Sequence, residues 1–208
     1  MARIPGGEFD TGERKRRVIV APFYLDVSEV TVGAYEQCVS TGKCTAANAD
    51  HTACNTGKPD RMLHPINCVD FQQAESFCGA LGKRLPTADE WQWAARGGSK
   101  GSTYPWGEDP PGRQACWNGE GNDLGLSRRE GTCSVGAYLE GSNAWENHDL
   151  AGNVWEWTTT LFEGGPKRIV RGGSWHSVDP TRLSSSSLFQ REPDERDILL
   201  GFRCARAM

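Results

Sequence analysis

The sequence lacks long apolar runs, an excess of positive charge and any C-x-x-C pair of cysteines. No stretch approaches the ~18 consecutive apolar residues of a membrane-spanning helix, so we predict no membrane span. The 23 Lys and Arg residues against 27 Asp and Glu residues leave a net charge of −4. No overall positive field therefore draws the chain to nucleic acid. The missing C-x-x-C pairs argue against zinc-ribbon and thioredoxin-like sites.

Glycine and tryptophan, in contrast, are abundant. The 208 residues include 25 Gly, 11 Pro and 8 Trp, while the hydrophobic fraction is only 37%. So many large aromatic side chains argue against disorder, and a chain of this length buries ~70% of the surface of its unfolded form. No repeat or linker divides the sequence. We therefore predict a single, loop-rich domain with short strands over residues 1–208.

The eight cysteines are even in number and predict a disulfide framework rather than a set of buried thiols. Sequence alone permits 105 pairings of eight cysteines. Pairing nearest neighbours, and leaving the two remaining cysteines for each other, gives Cys38–Cys44, Cys54–Cys68, Cys116–Cys133 and Cys78–Cys204. The alternative of a zinc site at Cys44, His51 and Cys54 is disfavoured because their spacing is irregular.

Disulfides indicate an oxidising location, either secreted, periplasmic or at the cell surface. The segment Met1–Pro5 has no apolar core of a signal peptide. We therefore expect a leader that is not part of this chain, with a cytoplasmic location as the alternative.

Three helices are predicted from capping residues and from apolar residues at helical spacing. The first follows Thr31 as its N-cap, and the second covers Phe71–Leu81. The third follows a capping box formed by Thr87 and Glu90 and runs through Arg96. The predicted helices span about 32–39, 71–81 and 88–96. Strands are predicted over 17–20, 23–27, 154–158, 167–171 and 199–205, and loops over 44–63, 98–147 and 174–197.

Four groups of motifs occur in a characteristic order. They are Ile4–Phe9; Gly82–Thr87 followed by Glu90-Trp91 and Ala94–Gly98; Gly152–Trp157; and Arg171–Trp175 with Gly201–Ala205. Together they resemble the formylglycine-generating enzyme family, also called sulfatase-modifying factors, over essentially the whole chain. The resemblance implies an α+β fold, an irregular and loop-rich relative of the C-type lectin fold, with short antiparallel strands and about three helices. The family's bridge between an early helix and the last strand matches Cys78–Cys204.

The catalytic cysteines of this family are missing. In its oxidases, two cysteines five residues apart after the Gly-Gly-Ser-aromatic segment bind copper(I), which prefers soft thiolate ligands. The corresponding positions here are Ser177 and Arg182, and no cysteine lies between Cys133 and Cys204. A hydroxyl and a guanidinium cannot replace two thiolates. The resemblance therefore implies a member that does not make formylglycine.

A calcium site is predicted on the segment that begins at Asp149. Two carboxylates, with backbone carbonyls between them, surround what we expect to be an exposed turn, and calcium selects such hard oxygen ligands. The resemblance implies that the side chains of Asp149 and Glu156 bind the ion with the carbonyls of Gly152 and Val154. A second calcium site of the family, near Cys116, is left open.

The retained fold without its thiolates favours a binding module, which presents the 175–197 loop and groove to a peptide or protein ligand. Variable proteins of diversity-generating retroelements use the same fold as a receptor scaffold. Aromatic and arginine side chains are the usual anchors of recognition. The candidate contacts are Trp175, His176, Ser177, Asp179, Arg182, Phe189 and Arg191.

Two alternatives remain. One is an iron- or copper-dependent oxidoreductase that uses His176 and Asp179, with His148 as a further ligand. The other is a sensor or scaffold domain of a larger signalling protein.

Overall fold

A computed structural model describes residues 1–11, 16–125 and 128–208. In this part of the chain, nine short strands form three sheets. The first sheet has the order β1 (Ala2–Ile4), β4 (Phe23–Leu25), β9 (Ala205–Ala207). The second is a hairpin of β2 (Gly7–Thr11) and β3 (Arg16–Val20). The third has the order β7 (Leu188–Arg191), β6 (Arg168–Arg171), β5 (Trp155–Leu161), β8 (Leu200–Gly201), and only its β5–β8 pair is parallel.

The three predicted helices are confirmed as α1 (Val32–Ser40), α2 (Phe71–Ala80) and α3 (Ala88–Ala95). The Thr31 hydroxyl caps α1 by accepting a hydrogen bond from the Ala34 amide. The predicted capping box of Thr87 and Glu90 opens α3. A second box, which the sequence analysis did not identify, opens α2 with Asp70 and Gln73. These caps satisfy backbone N–H groups that have no partner inside the helix.

The largest part of the core lies between α1, α2 and the third sheet. Tyr35 of α1, Phe77 of α2 and Phe202 after β8 pack with ring centroids 5.5–6.3 Å apart. A second core holds the first two sheets against Trp93 of α3. The α+β fold expected from the sequence is therefore confirmed.

One loop prediction and one strand prediction need correction. The segment 174–197 is not loop throughout, because Pro180–Leu183 forms a 3₁₀ turn and Leu188–Arg191 forms β7 along the edge of β6. The predicted strand 199–205 is divided between two sheets. Between the two parts, the carbonyls of Phe202 and Cys204 accept hydrogen bonds from the amides of Val30 and Asp26, outside any sheet.

All eight cysteines form disulfides, and the pairs are those predicted above: Cys38–Cys44, Cys54–Cys68, Cys78–Cys204 and Cys116–Cys133. The Cys78–Cys204 bridge ties α2 to the segment before β9 across 126 residues of sequence. No helix in the described residues is both long enough and apolar enough to cross a bilayer.

Candidate functional site

A cleft of about 300 Å³ opens beside the third sheet, between β7 and the segment that follows Ser174. Trp155 of β5 and Phe189 of β7 line the cleft together with Leu199. The rings of Trp155 and Phe189 lie 6.1 Å apart, and Phe189 is 36% exposed. An exposed aromatic ring beside a buried one gives the cleft an apolar floor that a ligand side chain can contact.

Two guanidinium groups converge on the Phe189 ring. The Cζ atom of Arg191 lies 4.9 Å from the ring centroid, and that of Arg182 lies 5.6 Å from it. Both distances are within the range of cation–π attraction. Arg191 also forms ion pairs with Glu195 at 3.4 Å and with Asp197 at 3.9 Å. Arg182 is exposed and forms no ion pair with any residue that the structure describes.

The segment after the Gly-Gly pair is held in place by hydrogen bonds. Gly173 has a φ of 77°, and a Cβ there would lie 2.8 Å from the Arg182 carbonyl, so this close approach requires glycine. The Ser177 hydroxyl accepts a hydrogen bond from the Ser174 amide at 3.0 Å. The Asp179 carboxylate accepts one from the Thr181 amide at 2.9 Å. Hydrogen bonds from Thr181 lower the pKa of Asp179, which keeps it ionised at neutral pH.

The structure brings most of the predicted ligand contacts to this cleft. It is lined by six of the seven: His176, Ser177, Asp179, Arg182, Phe189 and Arg191. The seventh, Trp175, is buried, and its ring packs 5.2 Å from the imidazole of His176. Ser177 and Arg182, which the resemblance matches to the family's copper-binding cysteines, both line the same cleft. The expected loss of thiolate ligands therefore falls inside an intact cavity.

A second cleft of about 820 Å³ shares His176 with the first. Its polar wall includes His51, Arg61, Arg128 and Arg129. His51 was considered from the sequence only as a zinc ligand, and the three arginines were not identified, because they come from two segments that were predicted only as loops. In the sequence, the adjacent pair Arg128-Arg129 indicates a local basic patch. Its position beside His176 depends on the fold and could not be predicted.

The predicted calcium turn is buried, which corrects the expectation of an exposed turn. Asp149 is 6% exposed, has a φ of 56°, and accepts a hydrogen bond from the Gly136 amide. Glu156 is fully buried, and both of its oxygen atoms accept hydrogen bonds from Arg203. One of them also accepts a bond from the Trp91 indole at 2.9 Å. Only Oε1 of Glu156 therefore keeps capacity for a further ligand.

Acidic side chains outnumber basic ones around this turn. Three buried acidic side chains, Glu29, Asp149 and Glu156, surround the single guanidinium of Arg203. Oε1 of Glu29 is buried and has no hydrogen-bond partner. Burial raises the pKa of Glu29 well above that of an ordinary glutamate, and the negative charge of Asp149 raises it further. Burial also raises the pKa of Asp149. A bound cation would offset this excess of negative charge.

Within the described residues, no group of three or more His, Cys, Asp or Glu side chains is arranged to hold a metal ion. A calcium ion at the turn would therefore depend on backbone carbonyls as well as on Asp149 and Glu156. The histidine set of the oxidoreductase alternative is not brought together either. His148 accompanies Val27 and Trp145 in a separate cleft, whereas His176 and Asp179 share the first one.

The chain is similar to a known protein family over its whole length. The sequence profile of the family described as Sulfatase-modifying factor enzyme 1-like domain matches residues 1–208. The bovine "Inactive C-alpha-formylglycine-generating enzyme 2" is 36% identical over 159 residues, which cover 72% of this chain and 52% of that relative. The chain thus spans about half the length of this curated relative.

Two further similarities extend over nearly the whole chain. The "Formylglycine-generating enzyme" of Streptomyces coelicolor is 34% identical over 278 aligned positions, covering 98% of this chain and 88% of the relative. The crystal structure of CarF superimposes with a TM-score of 0.77 at 23% identity, covering 100% of this chain and 97% of that one. At that identity the structural similarity shows the fold alone.

Proposed function

Because the chain belongs to the family of sulfatase-modifying factor enzyme 1-like domains, we propose that it is a non-catalytic member that binds a peptide or protein ligand in the cleft beside Phe189. The observation that carries this proposal is the set of residues that line the cleft. Ser177 and Arg182 line the cleft, and by the resemblance these are the positions at which the family's oxidases carry two copper-binding cysteines. The similarity to a bovine relative named as inactive supports the same conclusion.

The chemistry of the cleft supports binding rather than oxidation. All eight cysteines are held in disulfides, so no thiolate is available to bind copper(I). What remains is an exposed aromatic ring between two guanidinium groups. Aromatic and arginine side chains in a partly apolar cleft are typical of recognition sites. The 175–197 segment lines this cleft from both sides through His176 and Phe189.

The proposal is tested by two measurements on the purified chain. In the first, oxygen uptake is followed with copper(I) or iron(II) and a cysteine-containing peptide, and we expect no uptake above the protein-free rate. In the second, a random peptide library is selected on immobilised protein and each selected peptide is compared on the Phe189→Ala variant. We expect peptides that bind the natural chain and are lost on the variant. Metal-dependent oxygen uptake, or no peptide dependent on Phe189, would overturn the proposal.

We further propose that a calcium ion stabilises the fold at the turn of Asp149. The ion would be held by Asp149, by Oε1 of Glu156 and by the carbonyls of Gly152 and Val154. The excess of buried carboxyl groups supports this, because one guanidinium can balance only one of the three when all are ionised. Four disulfides support function in an oxidising, secreted or cell-surface environment.

A further inference from the structure

The two clefts described above adjoin at His176, and we refer to them together as the groove. His176 lines both of them, and its ring packs edge-on against Trp175, which belongs to the second cleft. A ligand that extends past His176 would therefore place one part beside Phe189 and the next part against the wall formed by Arg61, Arg128 and Arg129.

The lining of this groove is rich in arginine although the chain as a whole is acidic. Five arginines line it, against two carboxylates, those of Glu130 and Asp179. The whole chain, in contrast, has 23 Lys and Arg residues against 27 Asp and Glu residues. The arginines that line the groove are Arg61, Arg128, Arg129, Arg182 and Arg191.

These arginines divide into two kinds. Arg129 is fixed by the fold, since it donates to the Trp117 carbonyl and forms an ion pair with Asp123. Arg61 forms an ion pair with Asp60, and Arg191 forms the two ion pairs given above. Arg128 and Arg182 are exposed and form no ion pair with any residue that the structure describes. One such arginine lies in each cleft, and both are available to a ligand.

Building on the proposed function, we propose that the ligand is an acidic peptide segment. Its carboxylates bind Arg128 and Arg182, and a neighbouring aromatic or aliphatic side chain packs on Phe189 beside Trp155. Guanidinium groups match carboxylates geometrically through paired hydrogen bonds. The cleft of about 300 Å³ beside Phe189 has an apolar floor and room for a side chain.

A peptide fits this groove better than a nucleic acid or a sulfated polysaccharide. The net charge of −4 repels a long polyanion at a distance. Glu130 and Asp179, both exposed, interrupt the positive lining and would face a continuous row of phosphates or sulfates. A peptide can place neutral residues at these two points.

Binding of a fluorescein-labelled peptide, Gly-Asp-Glu-Phe-Asp-Glu-Gly, measured by fluorescence polarisation, tests the proposal. An analogue with Asn and Gln in place of Asp and Glu serves as the neutral probe. We expect the acidic peptide to bind at least about tenfold more tightly than the neutral one, since charge-assisted hydrogen bonds are lost in the analogue. Binding should weaken when the salt concentration rises from 0.05 to 0.5 M, because salt screens the attraction between charges. The Debye screening length is about 10 Å at 0.1 M and shortens as salt is added.

Charge reversal then locates the site. Arg128→Glu and Arg182→Glu should each weaken binding of the acidic peptide about tenfold. Arg3→Glu, an exposed arginine of β1 outside the groove, should leave it unchanged. Unfolding temperatures of all three variants confirm that they fold, and Arg182→Gln replaces Arg182→Glu if that variant does not.

The outcomes separate this proposal from the proposed function. If the neutral peptide binds as tightly as the acidic one and Phe189→Ala abolishes both, the groove binds peptides but the acidic ligand class is wrong. If neither peptide binds, the acidic class is also wrong, and the library selection described above decides independently whether the cleft binds any peptide. Tighter binding of heparin or of a single-stranded oligonucleotide at the same two arginines would overturn the peptide assignment.

Discussion

Glu156 and Arg203 form a two-point ion pair in which neither side chain is exposed to solvent. Nε of Arg203 donates to Oε2 of Glu156 and an Nη atom donates to Oε1, both at 2.8 Å. The remaining guanidinium contacts are the carbonyls of Asp26, Val27 and His148. A single side chain thus joins β5, the segment after β4, the residue before Asp149 and the chain between β8 and β9.

Loss of the guanidinium should destabilise the fold strongly. We expect Arg203→Met to lower the free energy of unfolding by about 3–5 kcal/mol, because removing one partner leaves a buried charge uncompensated. Urea denaturation followed by tryptophan fluorescence measures this. The double variant Arg203→Met with Glu156→Gln should recover part of the loss. A single variant as stable as the natural chain would contradict the role given to the pair.

Glu29 should act in the opposite direction, as a buried acid that costs stability. Its raised folded-state pKa means that the folded state holds a proton at pH values where the unfolded chain has lost it. The cost is therefore absent below the ordinary value of 4.5 and grows as the pH rises above it. We expect Glu29→Gln, measured in chelator, to gain stability relative to the natural chain from pH 5 to pH 8. A difference independent of pH would contradict this.

Calcium should raise the unfolding temperature. A ligand that binds only the folded state adds about 2.7 kcal/mol at a hundredfold excess over its dissociation constant. We expect the natural chain to unfold at a lower temperature in chelator than in calcium, and Asp149→Ala to show no such difference. Asp179→Ala, which removes an exposed carboxylate at the cleft, is the matched control and should keep the calcium effect. If the natural chain unfolds at the same temperature in calcium and in chelator, the calcium proposal is wrong.

The disulfides should differ in their contribution according to the loops that they close. Cys78–Cys204 spans 126 residues, whereas Cys38–Cys44 spans 6. In the chain-entropy description, the longer loop stabilises by about 3 kcal/mol more. We expect Cys78→Ala with Cys204→Ala to lose more stability in urea than Cys38→Ala with Cys44→Ala. Labelling of free thiols in unfolded, unreduced protein should find none in the natural chain.

The sequence predicted the elements whose signals are local. The hydroxyl of Thr31 and the capping box of Thr87 and Glu90 act within one turn of helix, so the residues themselves mark the boundary. β7 carries no such signal. Leu188–Arg191 follows a run of serines and becomes a strand because β6 offers an unpaired edge, which is a property of the fold. The predicted strand 199–205 was wrong for a related reason, since the carbonyls of Phe202 and Cys204 accept hydrogen bonds from the amides of Val30 and Asp26, which lie outside any strand.

In the candidate site, too, some residues could be predicted from local sequence and others depend on the fold. The contacts near the Gly-Gly-Ser-Trp segment could be named from sequence because they lie close to one another along the chain, and Phe189 and Arg191 share the strand beside them. Arg61 and Arg128 lie 67 positions apart in sequence, and only the packing of their loops brings them to His176. The burial of the carboxylates at the predicted calcium turn could not be predicted either, because Glu156 is covered by partners that are distant in sequence, Trp91 and Arg203.

Restoring the two thiols tests whether the cleft has lost only its metal ligands. Ser177 and Arg182 line the same cleft, and copper(I) prefers two thiolates. We expect Ser177→Cys with Arg182→Cys to bind about one copper(I) ion per chain in competition with a chromogenic chelator, while the natural chain binds none. Ser177→Ala with Arg182→Ala is the matched control, since it removes the same side chains without adding thiols. Thiol counting must find two free cysteines, so that the four native disulfides are known to be intact. Copper(I) bound equally by the natural chain would mean that other residues hold it, and the loss of thiolates would no longer explain a non-catalytic cleft.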